Sequence, residues 1–166
     1  PAQSGGEFVS EEDTVVAKDR GVDTMFKSAI HIATVAAQKG MLIALENLFP
    51  IEKQPASSLL STPTEIFEYF ERTRNLPNIG LLLDLAHLMI ASNVFNFEKD
   101  RFLDVLLDRY PTRIFGIHLS NNDGVRDLHL PLDERCWPLN AVSRVANANK
   151  KIPITLESRG LTIREV

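Results

Sequence analysis

Ile79-Gly80-Leu81-Leu82-Leu83-Asp84 is a short apolar run without alternation that ends in a carboxylate. This pattern is typical of a strand buried on both faces, as the strands of a parallel sheet are. It recurs three times, so that strands are predicted at Met41–Leu45, Ile79–Leu83, Arg113–Leu119 and Ile152–Leu156. The polar residues at the strand ends, at positions 46, 84, 118 and 157, are 38, 34 and 39 residues apart. The chain therefore repeats a helix–strand unit four times.

Amphipathic helices are predicted before each strand. Apolar residues fall at helical spacing over Val22–Ala37. Thr62-Pro63-Thr64-Glu65 has the capping residue, the early proline and the glutamate that mark a helix start. Two further helices are predicted at Glu98–Arg109 and from about Pro138 onward, and residues 1–20 are predicted to form a loop.

Strands and helices in this order indicate an α/β fold with a parallel sheet that is covered on its faces. Four such strands fit either a small doubly wound sheet or half of a barrel, and periodicity does not separate the two. No G-x-G-x-x-G or Walker A sequence follows any strand, which weakens a nucleotide-binding function.

The bulk composition is that of one ordinary globular domain over residues 1–166. A net charge of -4 gives no sign of the basic face that nucleic acid usually requires. The single cysteine, Cys136, excludes an internal disulfide and a zinc finger, as in proteins of a reducing compartment. No apolar run reaches the roughly 18 residues of a membrane span, and no signal peptide is visible. We therefore expect a cytoplasmic protein without a membrane partner.

Four strand ends carry groups that bind metals or move protons, namely Glu46, Asp84, His118 and Glu157. The carboxyl ends of barrel strands open into one mouth, so these four side chains are expected to converge there. Three carboxylates and an imidazole suit Mn, Mg, Zn, Co or Fe better than soft metals. Carboxylates this close repel one another unless a cation lies between them. The alternative for Glu46, Asp84 or Glu157 taken alone is a helix cap or a surface carboxylate.

Further polar residues follow the strand ends. His87 lies three residues after Asp84, where a packed histidine and a ligand are equally consistent with the sequence. Asp127 and His129 alternate along a predicted extended loop and can share a target, although a solvated turn is the other interpretation. Asn47 is expected to face the substrate, to support a ligand or to be a turn residue.

Five segments together resemble the xylose isomerase-like TIM barrels, which include sugar isomerases, sugar epimerases, inosose-processing enzymes and endonuclease IV. They are Ala44-Leu45-Glu46-Asn47, Leu83-Asp84-Leu85-Ala86-His87, Gly116-Ile117-His118-Leu119, Asp127-Leu128-His129-Leu130-Pro131-Leu132 and Ile154-Thr155-Leu156-Glu157. The resemblance implies a partial (β/α)8 barrel in which this chain supplies strands five to eight. The first four strands and most of the last helix are then expected to be absent. A missing N-terminal half or a second copy of the chain would complete the barrel.

The resemblance also implies roles for individual residues. Glu46, Asp84, His118 and Glu157 match the shared metal ligands, and the two glutamates match the acid–base pair of the epimerases. His87 matches a histidine that contacts substrate oxygen in the epimerases and binds metal in endonuclease IV. Two further metal ligands of endonuclease IV are matched by Asp127 and His129.

The chain departs from the family pattern at two places. Asp133-Glu134-Arg135 stands where Gly-x-Gly often follows the Asp-x-His segment. Gly124 falls about where some ketohexose epimerases carry an arginine, so that Arg126 is only a nearby candidate for substrate binding.

Three functions follow from these expectations. The first is a divalent-metal-dependent isomerase or epimerase of a sugar, polyol or sugar phosphate, in which Glu46 and Glu157 pass a proton through a metal-stabilised enediolate. The second is an abasic-site phosphodiesterase with several metal ions, against which the negative charge and the short loop after His118 count. The third is a barrel remnant without catalytic activity. A small sugar is the expected partner in the first case, and nucleic acid only in the second.

Overall fold

A computed structural model describes residues 18–50 and 58–160 of the chain. Within these ranges a parallel sheet carries helices on its outer side. The helices are α1 (Lys18–Ala37), α2 (Pro63–Arg72), α3 (Leu85–Phe95), α4 (Lys99–Arg109) and α5 (Trp137–Ala148). The strands are β1 (Ile43–Glu46), β2 (Ile79–Asp84), β3 (Ile114–Leu119) and β4 (Ile154–Leu156).

The four strands form one sheet in the order β1-β2-β3-β4, and each neighbouring pair is parallel. Sequential order with a helix between strands is the arrangement of a barrel wall, in which every strand pairs with the next in the chain. Asp84 of β2 is in register with His118 of β3, so their side chains lie side by side on one face. The expected α/β fold with part of a (β/α)8 barrel is therefore confirmed.

Local signals place the ends of the predicted helices well. Thr62 caps α2 by accepting a hydrogen bond from the main-chain N–H of Glu65, whose carboxylate in turn accepts from the N–H of Thr62. This is the reciprocal capping box expected from the sequence. The helix predicted at Glu98–Arg109 begins one residue later, with Glu98 at its N-cap.

Helix α3 follows β2 directly and was not predicted. Its sequence is apolar on almost every side, so it lacks the amphipathic period that would have indicated a helix. Asp84 is both the last residue of β2 and the N-cap of α3, because its Oδ1 accepts a hydrogen bond from the N–H of His87 at 2.8 Å. A strand-end carboxylate thus starts the next helix.

The core is densest around the two central strands. Ile79, Leu81 and Leu83 of β2 are fully buried beneath the helices. The ring of Tyr69 in α2 is also buried, and its hydroxyl donates a 2.6 Å hydrogen bond to the carbonyl of Gly80. These contacts hold β2 against the helix layer and so fix the position of Asp84 at the end of this strand.

The two outer strands are much more exposed. In the described residues, β1 pairs only with β2 and β4 pairs only with β3. Ile154 and Leu156 of β4 are 46% and 47% exposed. Met41 and Leu42, which precede β1, are also exposed. Both edges therefore offer unpaired main-chain groups and apolar side chains, as the ends of an unclosed barrel wall do.

Strand and loop boundaries differ slightly from expectation. Strand β1 begins at Ile43 instead of Met41, and β4 begins at Ile154 instead of Ile152. Lys18–Arg20 belong to α1, although residues 1–20 were expected to form a loop. The remainder of that expected loop lies outside the described residues. No helix in the described ranges is long and apolar enough to cross a membrane.

Candidate metal centre

Four side chains gather at the carboxyl ends of the strands. Glu46 ends β1, Asp84 ends β2, His118 lies near the end of β3 and Glu157 directly follows β4. We call these four residues the strand-end cluster. The convergence expected from the sequence is thus seen in the fold, since neighbouring parallel strands bring their last residues to one edge.

The Nδ1 atom of His118 is the centre of the strand-end cluster. It lies 3.0 Å from Glu46 Oε1, 3.2 Å from Glu157 Oε1 and 3.9 Å from Asp84 Oδ2. A lone pair on this nitrogen would face three carboxylate oxygens, which is unfavourable without a positive charge between them. A proton or a metal cation must therefore occupy the space that these atoms share.

Asp84 uses its two carboxylate oxygens differently. Oδ1 caps helix α3, whereas Oδ2 is buried and has no hydrogen-bond partner. The side chain is only 1% exposed, and burial raises the pKa of Asp84 to about 6, with further contributions from the charges of Glu46 and Asp127. A buried carboxylate oxygen without a partner is costly, and a bound cation would satisfy it.

His87 lies in the first turn of α3, beside the strand-end cluster. Its Nδ1 lies 2.8 Å from the main-chain carbonyl oxygen of Asn47, and its ring packs against that of Phe49 at 4.9 Å between centroids. Burial opposes the charged ring, but Asp127 and Asp84 outweigh burial and raise the pKa of His87 to about 9. A carbonyl oxygen can only accept, so Nδ1 carries a proton and Nε2 is the nitrogen left for other partners.

Asp127 and His129 meet each other and His87 next to the strand-end cluster. Asp127 Oδ2 lies 2.9 Å from His129 Nε2 and 3.7 Å from His87 Nε2. Burial opposes ionisation of Asp127, but the two imidazoles outweigh it and lower its pKa. The main chain of His129 has φ 49°, so the pair does not lie on the extended segment that was expected. We call His87, Asp127 and His129 the histidine group.

The two remaining candidates lie in different settings. Both polar atoms of the Asn47 amide are bonded to the main chain of Asp84 at 2.8 and 3.0 Å, and the residue is 1% exposed. Arg126 forms an ion pair with Asp123 at 2.9 Å, and its side chain is 70% exposed. The structure therefore joins Asn47 to the strand-end cluster and leaves Arg126 paired on the surface.

The strand-end cluster fits a divalent cation on three grounds. Ligands at adjacent positions of an octahedral Mg or Mn site, each about 2.1 Å from the ion, lie about 3 Å apart, close to the distances around His118 Nδ1. Asp84, His118 and Glu157 can each direct one ligand atom to a common position, as can Glu46, Asp84 and His87. Asp84 belongs to both sets, and its Oδ2 is buried without a hydrogen-bond partner.

Of the two sets, the one with His118 is the better metal site. In the second set, the His87 nitrogen within 4.0 Å of both carboxylates is Nδ1, at 3.7 Å from Glu46 and 3.8 Å from Asp84. That nitrogen already donates to the carbonyl of Asn47, so it has no lone pair for a metal. Asp84 and the ring of His118 then define the site, together with the two glutamates.

Two features of the site were not predicted. Phe49 packs on His87 and limits how its ring can turn, and the only hint in the sequence was an aromatic residue three positions after Glu46. Ser120 follows β3 directly, and its Oγ is buried without a partner. No pattern in the sequence distinguishes Ser120 from an ordinary loop serine.

Comparison with known proteins supports the same fold. The family model described as "Xylose isomerase-like TIM barrel" matches residues 6–165. A D-tagatose 3-epimerase-like protein of known structure is 22% identical, with a TM-score of 0.68 over 95% of this chain and 54% of that chain. A xylose isomerase domain protein from Alicyclobacillus acidocaldarius subsp. acidocaldarius is 20% identical, with a TM-score of 0.62 over 90% of this chain and 53% of that chain.

The chain spans about half the length of these two solved structures. No curated protein sequence matches it significantly. Likeness at this level of identity shows the fold, and the family follows from the model that matches nearly the whole chain. The chain belongs to the xylose isomerase-like TIM barrel family.

Proposed function

We propose that this chain carries the metal site and the acid–base residues of a sugar isomerase or epimerase that acts by proton transfer. The observation that carries the proposal is the position of His118 Nδ1 within 3.9 Å of oxygens from three carboxylates, one of which is buried without another partner. Glu46, Asp84, His118 and Glu157 would hold the ion. A bound Mn, Mg, Zn, Co or Fe ion would act as a Lewis acid that stabilises the negative charge of an enediolate.

The two glutamates are the residues best placed to move the proton. Their side chains are 30% and 27% exposed, whereas that of Asp84 is 1% exposed. A carboxylate that reaches the open side of the site can take a proton from a substrate carbon, whose electron pair then moves into the carbon–carbon bond of the enediolate. The second glutamate, in its acid form, returns a proton to carbon. General acid–base steps of this kind contribute about 10²–10⁴-fold to the rate.

His87 is proposed to bind a substrate oxygen. Its Nδ1 is held by the carbonyl of Asn47, and Phe49 packs against its ring, so the imidazole has a defined direction. Nε2 is then available to a hydroxyl or carbonyl of the sugar. D-Tagatose 3-epimerase-like proteins are among the structures that this fold resembles, which makes a ketose the first substrate class to test.

The test uses the full-length protein and a panel of ketoses and aldoses in D2O. Proton transfer through a carboxylate that exchanges with solvent puts deuterium on the carbon that is reprotonated, which is the deprotonated carbon in an epimerase and its neighbour in an isomerase. Glu46→Gln and Glu157→Gln should each reduce turnover by about 10²–10⁴-fold. The exposed Glu134 in the loop before α5 provides a matched control, since Glu134→Gln should keep the rate. Full turnover in both site variants, or product without deuterium, would contradict the mechanism.

One observation favours a second function, cleavage of DNA at abasic sites. The histidine group lies next to the strand-end cluster, and Asp127 Oδ2 faces nitrogens of both His87 and His129. Such an arrangement can hold further metal ions, which activate water in phosphodiester hydrolysis. Two or three zinc ions per chain by elemental analysis, with salt-sensitive cleavage of abasic DNA, would establish this function. A full-length protein that binds no metal would instead indicate a barrel without catalytic activity.

A further inference from the structure

We infer that Asn47 is the positioning residue of this site, because it holds both the main chain of Asp84 and the ring of His87. The inferred role of Asn47 in metal binding rests on the proposed function. The position of Asn47 itself rests on the hydrogen bonds described below. Asn47 directly follows β1 and is 1% exposed, so water cannot replace the bonds that it makes.

The Asn47 side chain completes the ladder between β1 and β2. The last regular pair is Glu46 with Leu82, and the N–H of Asn47 still donates to the carbonyl of Leu82 at 3.4 Å. In a regular parallel ladder the N–H of Asp84 would next donate to the main-chain carbonyl of residue 47. Here that N–H donates to Asn47 Oδ1 at 2.8 Å, and Asn47 Nδ2 donates to the carbonyl of Asp84 at 3.0 Å.

Because the Asn47 side chain takes this place in the ladder, the main-chain carbonyl of Asn47 is free to bond to His87. The carbonyl accepts from His87 Nδ1 at 2.8 Å instead of from Asp84. One residue therefore fixes the position of Asp84 through its side chain and the direction of the His87 ring through its main chain. Partners of this kind orient metal ligands, and their loss typically lowers metal affinity by about 10–100-fold.

Asparagine is the residue type that this place requires. An aspartate could accept from the N–H of Asp84 but could not donate to its carbonyl, and it would add a buried charge near the three carboxylates. An alanine would leave the N–H of Asp84 without its partner, and the carbonyl of Asp84 would keep only the first hydrogen bond of helix α3. The N–H of Asp84 could then donate to the main-chain carbonyl of residue 47, as in a regular ladder, and His87 Nδ1 would lose this acceptor.

The experiment compares two asparagines that join main-chain segments at opposite ends of the sheet. Asn78 at the amino end of β2 donates to the carbonyls of Ala33 and Met41, so Asn78→Ala removes bonds of the same kind far from the site. Titration of the full-length protein with Co²⁺ should show about 10–100-fold weaker binding for Asn47→Ala and Asn47→Asp. Asn78→Ala should stay within about threefold of the parent, since it touches no ligand. Equal Co²⁺ affinity in the parent and both Asn47 variants would overturn the inference.

A second measurement needs no variant and so does not depend on folding of the Asn47 proteins. Nitrogen-15 NMR of the parent histidines, with and without Zn²⁺, reports whether Nδ1 of His87 carries a proton. We expect Nδ1 to stay protonated in both states, and an Nδ1 that loses its proton on addition of Zn²⁺ would overturn the inference. If the parent binds neither Co²⁺ nor Zn²⁺, the proposed function fails, while the Nδ1 proton of His87 still tests the role of Asn47.

Discussion

The two central strands and the two edge strands of this sheet differ in what surrounds them, and the proposed metal ligands divide between them. Asp84 on central β2 is 1% exposed and caps a helix. Glu46 at the end of β1 and Glu157 after β4 are 30% and 27% exposed, on strands that each pair on one side only within residues 18–50 and 58–160. The central strands thus supply fixed ligands, and the edge strands supply the carboxylates proposed to move protons.

This difference shows how one sheet can place a fixed carboxylate and solvent-accessible carboxylates in the same site. A ligand that also caps a helix cannot move without loss of the helix start. A glutamate on a less enclosed strand keeps access to substrate and to solvent. The edge strand β4 also leaves apolar surface uncovered in the described residues, because Ile154 and Leu156 remain about half exposed.

The largest expected effect is on the free energy of unfolding when a buried isoleucine of a central strand is replaced, compared with an exposed isoleucine of an edge strand. Ile79 of β2 is fully buried, whereas Ile154 of β4 is 46% exposed, so Ile79→Ala and Ile154→Ala form a matched pair. In the 166-residue chain, Ile79→Ala should lower the free energy of unfolding by about 2–5 kcal/mol. Ile154→Ala should lower it by about 1 kcal/mol, because only half of the side chain leaves water. Urea unfolding measures both values.

Similar losses for the two isoleucine variants would contradict the comparison. They would mean that a further segment or a second copy of the chain covers β4. Analytical ultracentrifugation of the same samples distinguishes these cases, since only a second copy doubles the mass.

The next effect concerns Asp84 on central strand β2, where one variant should lower metal affinity with little change in the stability of the metal-free protein. In Asp84→Asn the amide oxygen can still cap α3, but the unpartnered carboxylate oxygen Oδ2 is replaced by an amide nitrogen. Affinity for a divalent cation should fall by about 100-fold or more, because a charged ligand becomes a donor that cannot bind a cation. The melting temperature of the metal-free protein should change little, because the cap of α3 is kept and the loss of attraction to the charged His87 ring is offset by the removal of a buried charge. Calorimetric titration and thermal unfolding test the two parts, and a destabilised metal-free variant would show that Oδ2 has a structural partner.

Much of this division could be predicted from the sequence, because a carboxylate or histidine lies at or next to the end of each strand. Glu46, Asp84, His118 and Glu157 were expected to converge, and the parallel register brings them together. The pattern works because the carboxyl ends of parallel strands share one edge of the sheet. Their roles as metal ligands remain predictions.

Other features could not be predicted, for identifiable physical reasons. Helix α3 is buried on almost all sides, so its residues show no polar face. The amide of Asn47 takes the place of a main-chain ladder, which depends on where β1 stops and not on the residue type alone. The left-handed main chain of His129 is equally invisible in a pattern of alternating residues.

The smallest expected effect compares a buried hydroxyl on the central strand with an exposed one. Tyr69 donates to the carbonyl of Gly80 in β2 at 2.6 Å, and Tyr110 donates to Glu71 at the surface at 2.9 Å. Tyr69→Phe leaves the buried carbonyl of Gly80 without this donor and should lower the free energy of unfolding by about 1–2 kcal/mol. Tyr110→Phe should change it by less than about 0.5 kcal/mol, because water replaces the lost bond.

The comparison of the two tyrosines is decisive because both variants remove the same atom. Burial raises the pKa of the Tyr69 hydroxyl above its ordinary value, so this group stays a donor throughout the pH range in which the protein can be studied. The difference between the variants should therefore be independent of pH from about 6 to 9, well below the ordinary tyrosine pKa near 10. Urea unfolding at three pH values in this range measures it. If Tyr69→Phe lowers the free energy of unfolding as little as Tyr110→Phe does, the Gly80 carbonyl finds another donor. The hydroxyl of Tyr69 then does not help to hold β2 beneath α2.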